Sequence, residues 1–131
     1  MKLIDVFKAR EPLKRLTESR FNNYKVLRKL VKAQKAVDAE MEFYATAEKK
    51  AIDLYAEKDE KGNPVILADG RLKLKDMEAK TAFDKEIAKL NDTEVDDIDT
   101  IVIREGDFVS PGDYPTPSDM ALLECIIAFE D

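Results

Sequence analysis

The longest regular pattern of apolar and polar positions runs from Asn22 to Lys58 and predicts a single long helix. This stretch contains no Gly or Pro and consists mostly of strong helix formers. Apolar or small residues recur every seven positions, at Leu30, Val37, Tyr44 and Ala51. A second series of the same period, offset by three, comprises Leu27, Gln34, Met41, Glu48 and Tyr55. The spacing predicts a seam along which the helix packs against a partner.

The width of the seam favours a partner within the same chain. Apolar residues also flank the two series, and they widen the apolar stripe beyond that of a strict coiled coil; they are Val31, Ala45, Ile52 and Leu54. We therefore expect a core helix, with a coiled coil between chains as the alternative. Gln34 and Glu48 at seam positions would cost stability if they were fully buried.

Turn and cap signals after Lys58 predict a β-hairpin followed by a second helix. The sequence DEKGNP ends the long helix, since Pro64 cannot continue it. Two short β-prone runs, residues 65–67 and 72–74, are joined by a turn that contains Asp69-Gly70. Asp76 can then cap a helix that reaches Leu90, and this helix is expected to pack antiparallel to the long one.

The two ends of the chain predict a small sheet and a last helix. Met1–Phe7 alternates in the manner of a short strand, and it could pair with the β-branched run Thr100–Ile103. Pro12 is tolerated in the first turn of a helix, so a helix is expected to start near Ala9–Glu11. Thr116 and Pro117 fit the start of an apolar helix that runs through Phe129. The expected fold is α+β and mainly helical, in a single domain over residues 1–131.

Charge is distributed unevenly along the 131 residues, which carry a net charge of −6. Residues 1–56 contain 13 Lys and Arg against 8 Asp and Glu, whereas residues 92–131 contain 1 against 12. The simplest interpretation is that the basic and acidic parts attract each other in the folded chain. The alternatives are a basic face for nucleic acid and an acidic face, including Asp96, Asp97 and Asp99, that imitates nucleic acid to a basic protein.

The sequence offers little support for catalysis or metal binding. There is no His, and the single Cys125 lies in an apolar run, where a small buried side chain is expected. The acidic cluster from Asp92 to Asp99 lacks the glycine and the ligand spacing of an EF-hand. No phosphate-binding loop or zinc spacing occurs. We therefore predict no enzyme activity, no cofactor and no metal.

We interpret the basic residues of the long helix as a face of the helix that is exposed to solvent. Five of them fall three or four positions apart and could follow a phosphate backbone, namely Lys25, Arg28, Lys29, Lys32 and Lys35. The acidic overall charge and the absence of a DNA-reading motif argue against nucleic acid as a partner. No apolar run is long enough for a membrane span, and Met1–Phe7 lacks a secretory signal, so a cytoplasmic location in the host cell, or in a virion, is expected.

Four segments of the sequence resemble a family of small proteins carried by tailed bacteriophages and by prophages of low-GC Gram-positive bacteria. The segments are IDVFKAREPLKRL, YAEKDEKGN, FDKEIAKLNDTEVD and TPSDMALLECII. They consist of turns, caps and core positions. The resemblance therefore implies a phage context and no site residue.

The leading functional prediction is a non-enzymatic phage or prophage protein that binds protein, either itself or a phage or host partner. Such a protein would serve as a virion or assembly component, and it could be a homo-oligomer. The alternative is an accessory factor that binds a host nucleic-acid-handling protein through its acidic C-terminal surface. The residues predicted to bind protein are Leu30, Val37, Tyr44, Asp96, Asp97 and Asp99.

Overall fold

The computed structural model describes residues 1–131 and confirms an α+β fold that is mainly helical. Four α-helices and two short parallel strands make up the regular structure. In chain order they are α1 (Leu3–Thr17), α2 (Tyr24–Tyr55), α3 (Met77–Asn91), β1 (Ile101–Arg104), α4 (Pro117–Leu123) and β2 (Ile127–Glu130). Short 3-10 turns cover Glu105–Asp107 and Pro111–Asp113 between β1 and α4.

Two compact units divide the chain. Unit 1 comprises Met1–Met41 and Glu94–Asp131, and unit 2 comprises Glu42–Thr93. The long helix predicted from the sequence is confirmed as α2, which contributes residues to both units. Asn23 caps it, because its side-chain oxygen accepts a hydrogen bond of 3.0 Å from the backbone N–H of Lys25.

Helix α1 of unit 1 begins at Leu3, so the predicted strand over Met1–Phe7 is wrong, as is the helix start near Ala9–Glu11. The apolar residues of this stretch are buried at a spacing of three or four, which is the helical period; they are Leu3, Val6, Ala9, Leu13 and Leu16. The alternation that suggested a strand covers too few residues to compete with this longer pattern.

Pro12 lies inside α1 and is buried there, instead of in the first turn where the sequence placed it. A proline at this position removes the hydrogen bond that its N–H would give to the carbonyl of Lys8. Lys8 is exposed, so water can take the place of the missing donor. Burial of the apolar ring of Pro12 beside the core residues of α1 also stabilises the folded chain.

The sheet of unit 1 consists of β1 and β2, which pair in parallel with Ile101 opposite Ile127. The predicted pairing of Met1–Phe7 with Thr100–Ile103 is therefore wrong, although β1 itself is confirmed. The last helix is also shorter than predicted, because α4 ends at Leu123 and the following run forms β2. Consecutive β-branched residues in that run favour an extended backbone that pairs with β1.

The N-terminus of α4 confirms the predicted cap. Thr116 accepts a hydrogen bond of 3.1 Å at its hydroxyl oxygen from the N–H of Asp119, and Pro117 occupies the first helical position. Helix α4 packs against α1. The core of unit 1 contains fully buried residues from α1, α2, β1, α4 and the residues before β2, among them Leu13, Leu30, Ile103, Leu123 and Ile126.

Unit 2 confirms the predicted antiparallel helices. The hydroxyl of Tyr44 donates to Oδ1 of Asn91 over 3.1 Å, and the N–H of Lys75 donates to the carbonyl of Tyr55 over 3.0 Å. These two bonds join opposite ends of the α2 and α3 segments. Asp76 caps α3, as predicted, through a bond of 2.7 Å from the N–H of Ala79.

The connection between α2 and α3 contains the predicted hairpin turn, but its pairing consists of isolated bridges. Ile66 pairs with Leu72 across a turn in which Gly70 has a φ of 84°. Three backbone hydrogen bonds of 2.8 to 3.0 Å form a closed ring, in which Glu57 donates to Lys73, Lys73 to Val65, and Val65 to Glu57. The ring holds the end of α2 and both arms of the hairpin together.

Candidate protein-binding surfaces

Two of the predicted protein-binding residues, Leu30 and Val37, have 0% exposure and lie in the core of unit 1. Their seam is therefore filled by residues of the same chain, as the core interpretation predicts. Tyr44 is half-buried in unit 2, where it bonds to Asn91. Burial raises the pKa of the Tyr44 hydroxyl, and the nearby charge of Glu48 adds to this effect.

Gln34 occupies a seam position with an incompletely satisfied side chain. Its amide nitrogen donates to Oδ1 of Asp38 over 3.3 Å, whereas its carbonyl oxygen is buried without a hydrogen-bond partner. A buried unpaired oxygen costs about 1–3 kcal/mol. Gln34 therefore lowers the stability of the folded chain, as the sequence predicts for a buried polar residue in the seam.

A charged groove lies between α2 and the segment that precedes β1. Lys29 and Lys32 line its α2 wall, and Asp97 and Asp99 line the opposite wall. Its volume is about 270 Å³, and its apolar lining comes from Ala33, Ala36, Ile98 and Ile101. The acidic cluster of the sequence thus faces part of the basic face of α2, and residues 92–100 contain no strand.

The carboxyl groups of Glu40 and Asp97 lie close to each other beside this groove. Burial raises the pKa of Glu40, and the charge of Asp97 and the hydrogen bond to it raise that pKa further. Asp96, Asp97 and Asp99 are all exposed. These three side chains therefore remain accessible to a partner.

Two ion pairs join the basic N-terminal part of unit 1 to its acidic C-terminal part. Arg15 donates two hydrogen bonds, of 2.9 and 2.7 Å, to the carboxylate of Asp119. Arg20 donates from its backbone N–H and from Nε to Asp113, each over 3.2 Å. Hydrogen bonds from these arginines lower the pKa of both aspartates. Some of the basic residues near the N-terminus therefore pair with acidic residues near the C-terminus within the folded chain.

An apolar groove runs between α2 and α3 in unit 2, and we call it the hairpin groove. Its volume is about 360 Å³. Ala47, Lys50, Ala51 and Leu54 line it from α2, and Glu86, Ile87, Lys89, Leu90 and Thr93 line it from α3 and the residues that follow. The exposed fraction of Leu54 is 63%. The sequence placed Leu54 on the flank of the seam, but it gave no sign that the groove would stay open.

A pocket of about 410 Å³ lies at the carboxyl ends of the two strands in unit 1, and we call it the strand-end pocket. Three aromatic residues line it together with acidic ones: Phe108, Tyr114, Phe129, Glu105, Glu130 and Asp131. Sequence reasoning missed this pocket because its residues come from β1, from the loop of residues 105–116, from α4 and from β2. Their proximity depends on the parallel pairing, which the sequence did not predict.

Cys125 is half-buried, with Sγ 3.8 Å from the carbonyl oxygen of Asp5. Burial raises the pKa of the Cys125 thiol, and the nearby charge of Asp5 raises it further, so the nucleophilic thiolate is disfavoured. No group of three Cys, Asp or Glu side chains is arranged to hold a metal ion. None of the helices combines the length and the apolar character that crossing a membrane would require.

A comparison with protein-family models, with curated proteins and with solved structures finds no match to this chain.

Proposed function

We propose that the chain is a non-enzymatic protein that acts by binding protein through the hairpin groove of unit 2. The proposed partner is a second copy of the chain. From the resemblance of the sequence to phage and prophage proteins, we further propose that this binding serves a virion or its assembly.

The observation that carries this proposal is the incomplete core of unit 2. Apart from Ala51 and Ala56, no apolar side chain between Glu42 and Thr93 is buried, and α3 has no buried residue at all. Exposed large apolar residues within this short segment include Phe43, Leu54, Ile66, Leu67 and Met77. Of these residues Leu54 lines the hairpin groove, where it lies together with the apolar side chains of Ala47, Ala51, Ile87 and Leu90. A contiguous apolar surface on a small protein commonly marks an interaction site, because its burial against a partner removes it from water.

The charges around the hairpin groove suit a second copy. Lys50 and Lys89 line the groove together with Glu86, so one groove presents both signs of charge. In a two-fold dimer the same patch meets itself, and a mixed-charge rim can then pair with its own symmetry mate. Docking of the α2–α3 hairpins in this way would form a four-helix bundle.

Light scattering after gel filtration, over a range of protein concentrations at physiological salt, tests this proposal. We expect the mass to rise with concentration towards twice the 14.9 kDa of the chain. Leu54→Lys places a charge in the groove and should leave a monomer at every concentration. Leu122→Lys is the matched control, since Leu122 is an exposed leucine of α4 in unit 1.

A wild-type mass that stays at one chain would contradict self-association. So would a Leu54→Lys variant that associates as strongly as the Leu122→Lys variant. Circular dichroism of both variants establishes that a change in mass does not come from unfolding.

The acidic surface of residues 96–99 supports a second candidate function, as a phosphate mimic that binds a host nucleic-acid-handling protein. The observation that favours it is the exposure of Asp96, Asp97 and Asp99. Binding of the chain to purified DNA-binding proteins of basic charge should then compete with duplex DNA and fall as salt rises. An affinity that is unchanged when all three aspartates are replaced by asparagine would contradict this function.

A further inference from the structure

The strand-end pocket is lined by aromatic side chains and by acidic groups. Phe108, Tyr114 and Phe129 contribute the aromatic surface, and Ile103, Pro115 and Met120 contribute the rest of the apolar lining. The volume of about 410 Å³ is large enough for a small organic group.

Two of the aromatic rings meet nearly at right angles. The ring planes of Phe108 and Tyr114 are inclined by 71°, with their centroids 5.1 Å apart. Phe21 packs against Phe108 at a centroid distance of 5.0 Å, and this contact helps to fix Phe108 in the core. Tyr114 is 39% exposed, so part of its surface remains accessible. In this edge-to-face contact the two rings pack on each other, and Phe108 is only 7% exposed, so the accessible part of Tyr114 supplies most of the ring surface on this side of the pocket. Methylated ammonium groups bind at accessible aromatic surfaces of this kind.

The charges at the pocket favour a cation. Glu105, Glu130 and Asp131 line the pocket, and Arg104 is the only basic residue there. Nε of Arg104 lies 3.7 Å from Oε2 of Glu130, so these two charges largely offset each other. The hydroxyl of Tyr114 donates to Oε1 of Glu105 over 3.0 Å, which holds one carboxylate beside the aromatic wall. Glu105 and Asp131 remain to balance an added positive charge.

We propose that the strand-end pocket binds an alkylated ammonium group, held by the aromatic walls and by the carboxylates of Glu105 and Asp131. An anion would be repelled by these acids. A purely apolar group would displace water from the carboxylates without replacing its hydrogen bonds, which is unfavourable. A methylated ammonium offers apolar methyl groups to the rings and a diffuse positive charge to the acids, so it satisfies both parts of the lining.

Amide chemical-shift titrations of the full chain test this proposal, with choline as the probe. We expect saturable shifts at the amides of Tyr114 and Phe129. The neutral carbon isostere of choline, in which a tert-butyl group replaces trimethylammonium, should bind about tenfold more weakly, because it has the shape but not the charge.

Two variants and a matched control assign the binding to this pocket. Tyr114→Leu should weaken choline binding by about fivefold or more, because it removes one aromatic wall. Glu105→Gln preserves the size of the side chain and should weaken choline binding without affecting the isostere. Tyr24→Leu changes a tyrosine that is 80% exposed elsewhere in unit 1 and should leave binding unchanged.

A capped peptide that contains trimethyllysine distinguishes the two sources of such a group. Tighter binding of the peptide than of choline would assign the site to a modified lysine of a protein, and equal or weaker binding would assign it to a free amine. Equal binding of choline and its isostere would overturn the proposal, as would the absence of saturable shifts or an unchanged affinity in Glu105→Gln.

Discussion

At the scale of single residues, α2 contains two polar side chains whose surroundings work against stability. The carbonyl oxygen of Gln34 is buried without a partner. Glu40 carries a carboxyl group next to that of Asp97, and burial, followed by the charge of Asp97, raises the pKa of Glu40. Both residues belong to α2, the longest helix of the chain, so the unpaired oxygen and the raised pKa each lower the stability of the structure around this helix.

Replacement of Glu40 by Gln should stabilise the protein at neutral pH and have no effect in acid. Because the pKa of Glu40 is raised in the folded state, the folded chain binds a proton that the unfolded chain has already lost as pH rises above the ordinary glutamate value. The stability contribution of Glu40 therefore falls as pH rises through its folded pKa and stays low at neutral pH. Glutamine cannot ionise, and its amide can donate to Asp97, so the penalty disappears.

Thermal unfolding of Glu40→Gln at about pH 7 and about pH 4 measures this effect, since the ordinary pKa of glutamate is near the lower value. We expect a higher melting temperature than wild type at the first pH and an equal one at the second. Glu42→Gln, a change of an exposed glutamate on the same helix, serves as the control. A gain of the same size at both pH values would show that the charge of Glu40 is not its cause.

At the scale of elements, α3 is the helix most dependent on local interactions, because none of its residues is buried. Its cap should therefore contribute a large share of its stability. Asp76→Ala removes the 2.7 Å bond to the N–H of Ala79 and should lower the free energy of unfolding by about 1 kcal/mol. Asp76→Asn retains an oxygen acceptor and should lose much less.

Urea unfolding followed by circular dichroism compares the two Asp76 variants. Equal stabilities of the alanine and asparagine variants would contradict a capping role for Asp76. Loss of helical signal before the main transition, in the alanine variant alone, would show that α3 unfolds separately when its cap is removed.

The sequence predicted the elements whose signals are local and long, and it failed where a distant segment decided the outcome. Helix α2, the Asp76 cap and the Thr116 cap follow from residues within a few positions of each other. The strand over Met1–Phe7 and the extended last helix were wrong, because the partner of β1 is β2 and that pairing spans the loop and α4 between them. Short apolar runs fit either a strand or a helix until their partner is known.

The candidate surfaces also differ in how far the sequence predicts them, because some depend on local signals and others on contacts between distant segments. Accessibility of Asp96, Asp97 and Asp99 follows from a dense run of acids, which is a local signal. Leu30 and Val37 gave an equally clear seam, but periodicity alone does not distinguish a partner in the same chain from one in another chain. The strand-end pocket depends on the tertiary structure that joins residues 103–108, 114–120 and 129–131.

At the scale of the whole molecule, the response of stability to salt distinguishes two electrostatic effects of opposite sign. A net charge of −6 implies self-repulsion, which salt would screen, so the folded chain would become more stable. Unit 1, however, joins a segment of residues 1–41 with 11 Lys and Arg against 5 Asp and Glu to a segment of residues 94–131 with 1 against 11. Salt would screen that attraction and lower stability.

We expect attraction to dominate, because the opposite charges in unit 1 lie close together. Arg15 contacts Asp119 over 2.7 Å, Arg20 contacts Asp113 over 3.2 Å, and Lys29 and Lys32 face two aspartates across the charged groove. Screening acts over about 8 Å at physiological ionic strength, so it weakens the groove charges more than the bonded pairs. The urea midpoint of the full chain at pH 7 should therefore fall as sodium chloride is raised from about 20 mM to about 500 mM.

A variant with Lys29 and Lys32 both changed to Gln isolates the contribution of the groove. It should be less stable than wild type at low salt, and the difference should shrink as salt rises, since screening already removes the attraction in wild type. Lys49→Gln with Lys80→Gln makes the same charge change at two exposed lysines of unit 2 that lie outside the hairpin groove, and it should leave the salt response of wild type intact. A midpoint that rises with salt in the wild-type chain would mean that net repulsion outweighs the attraction between the two halves of unit 1.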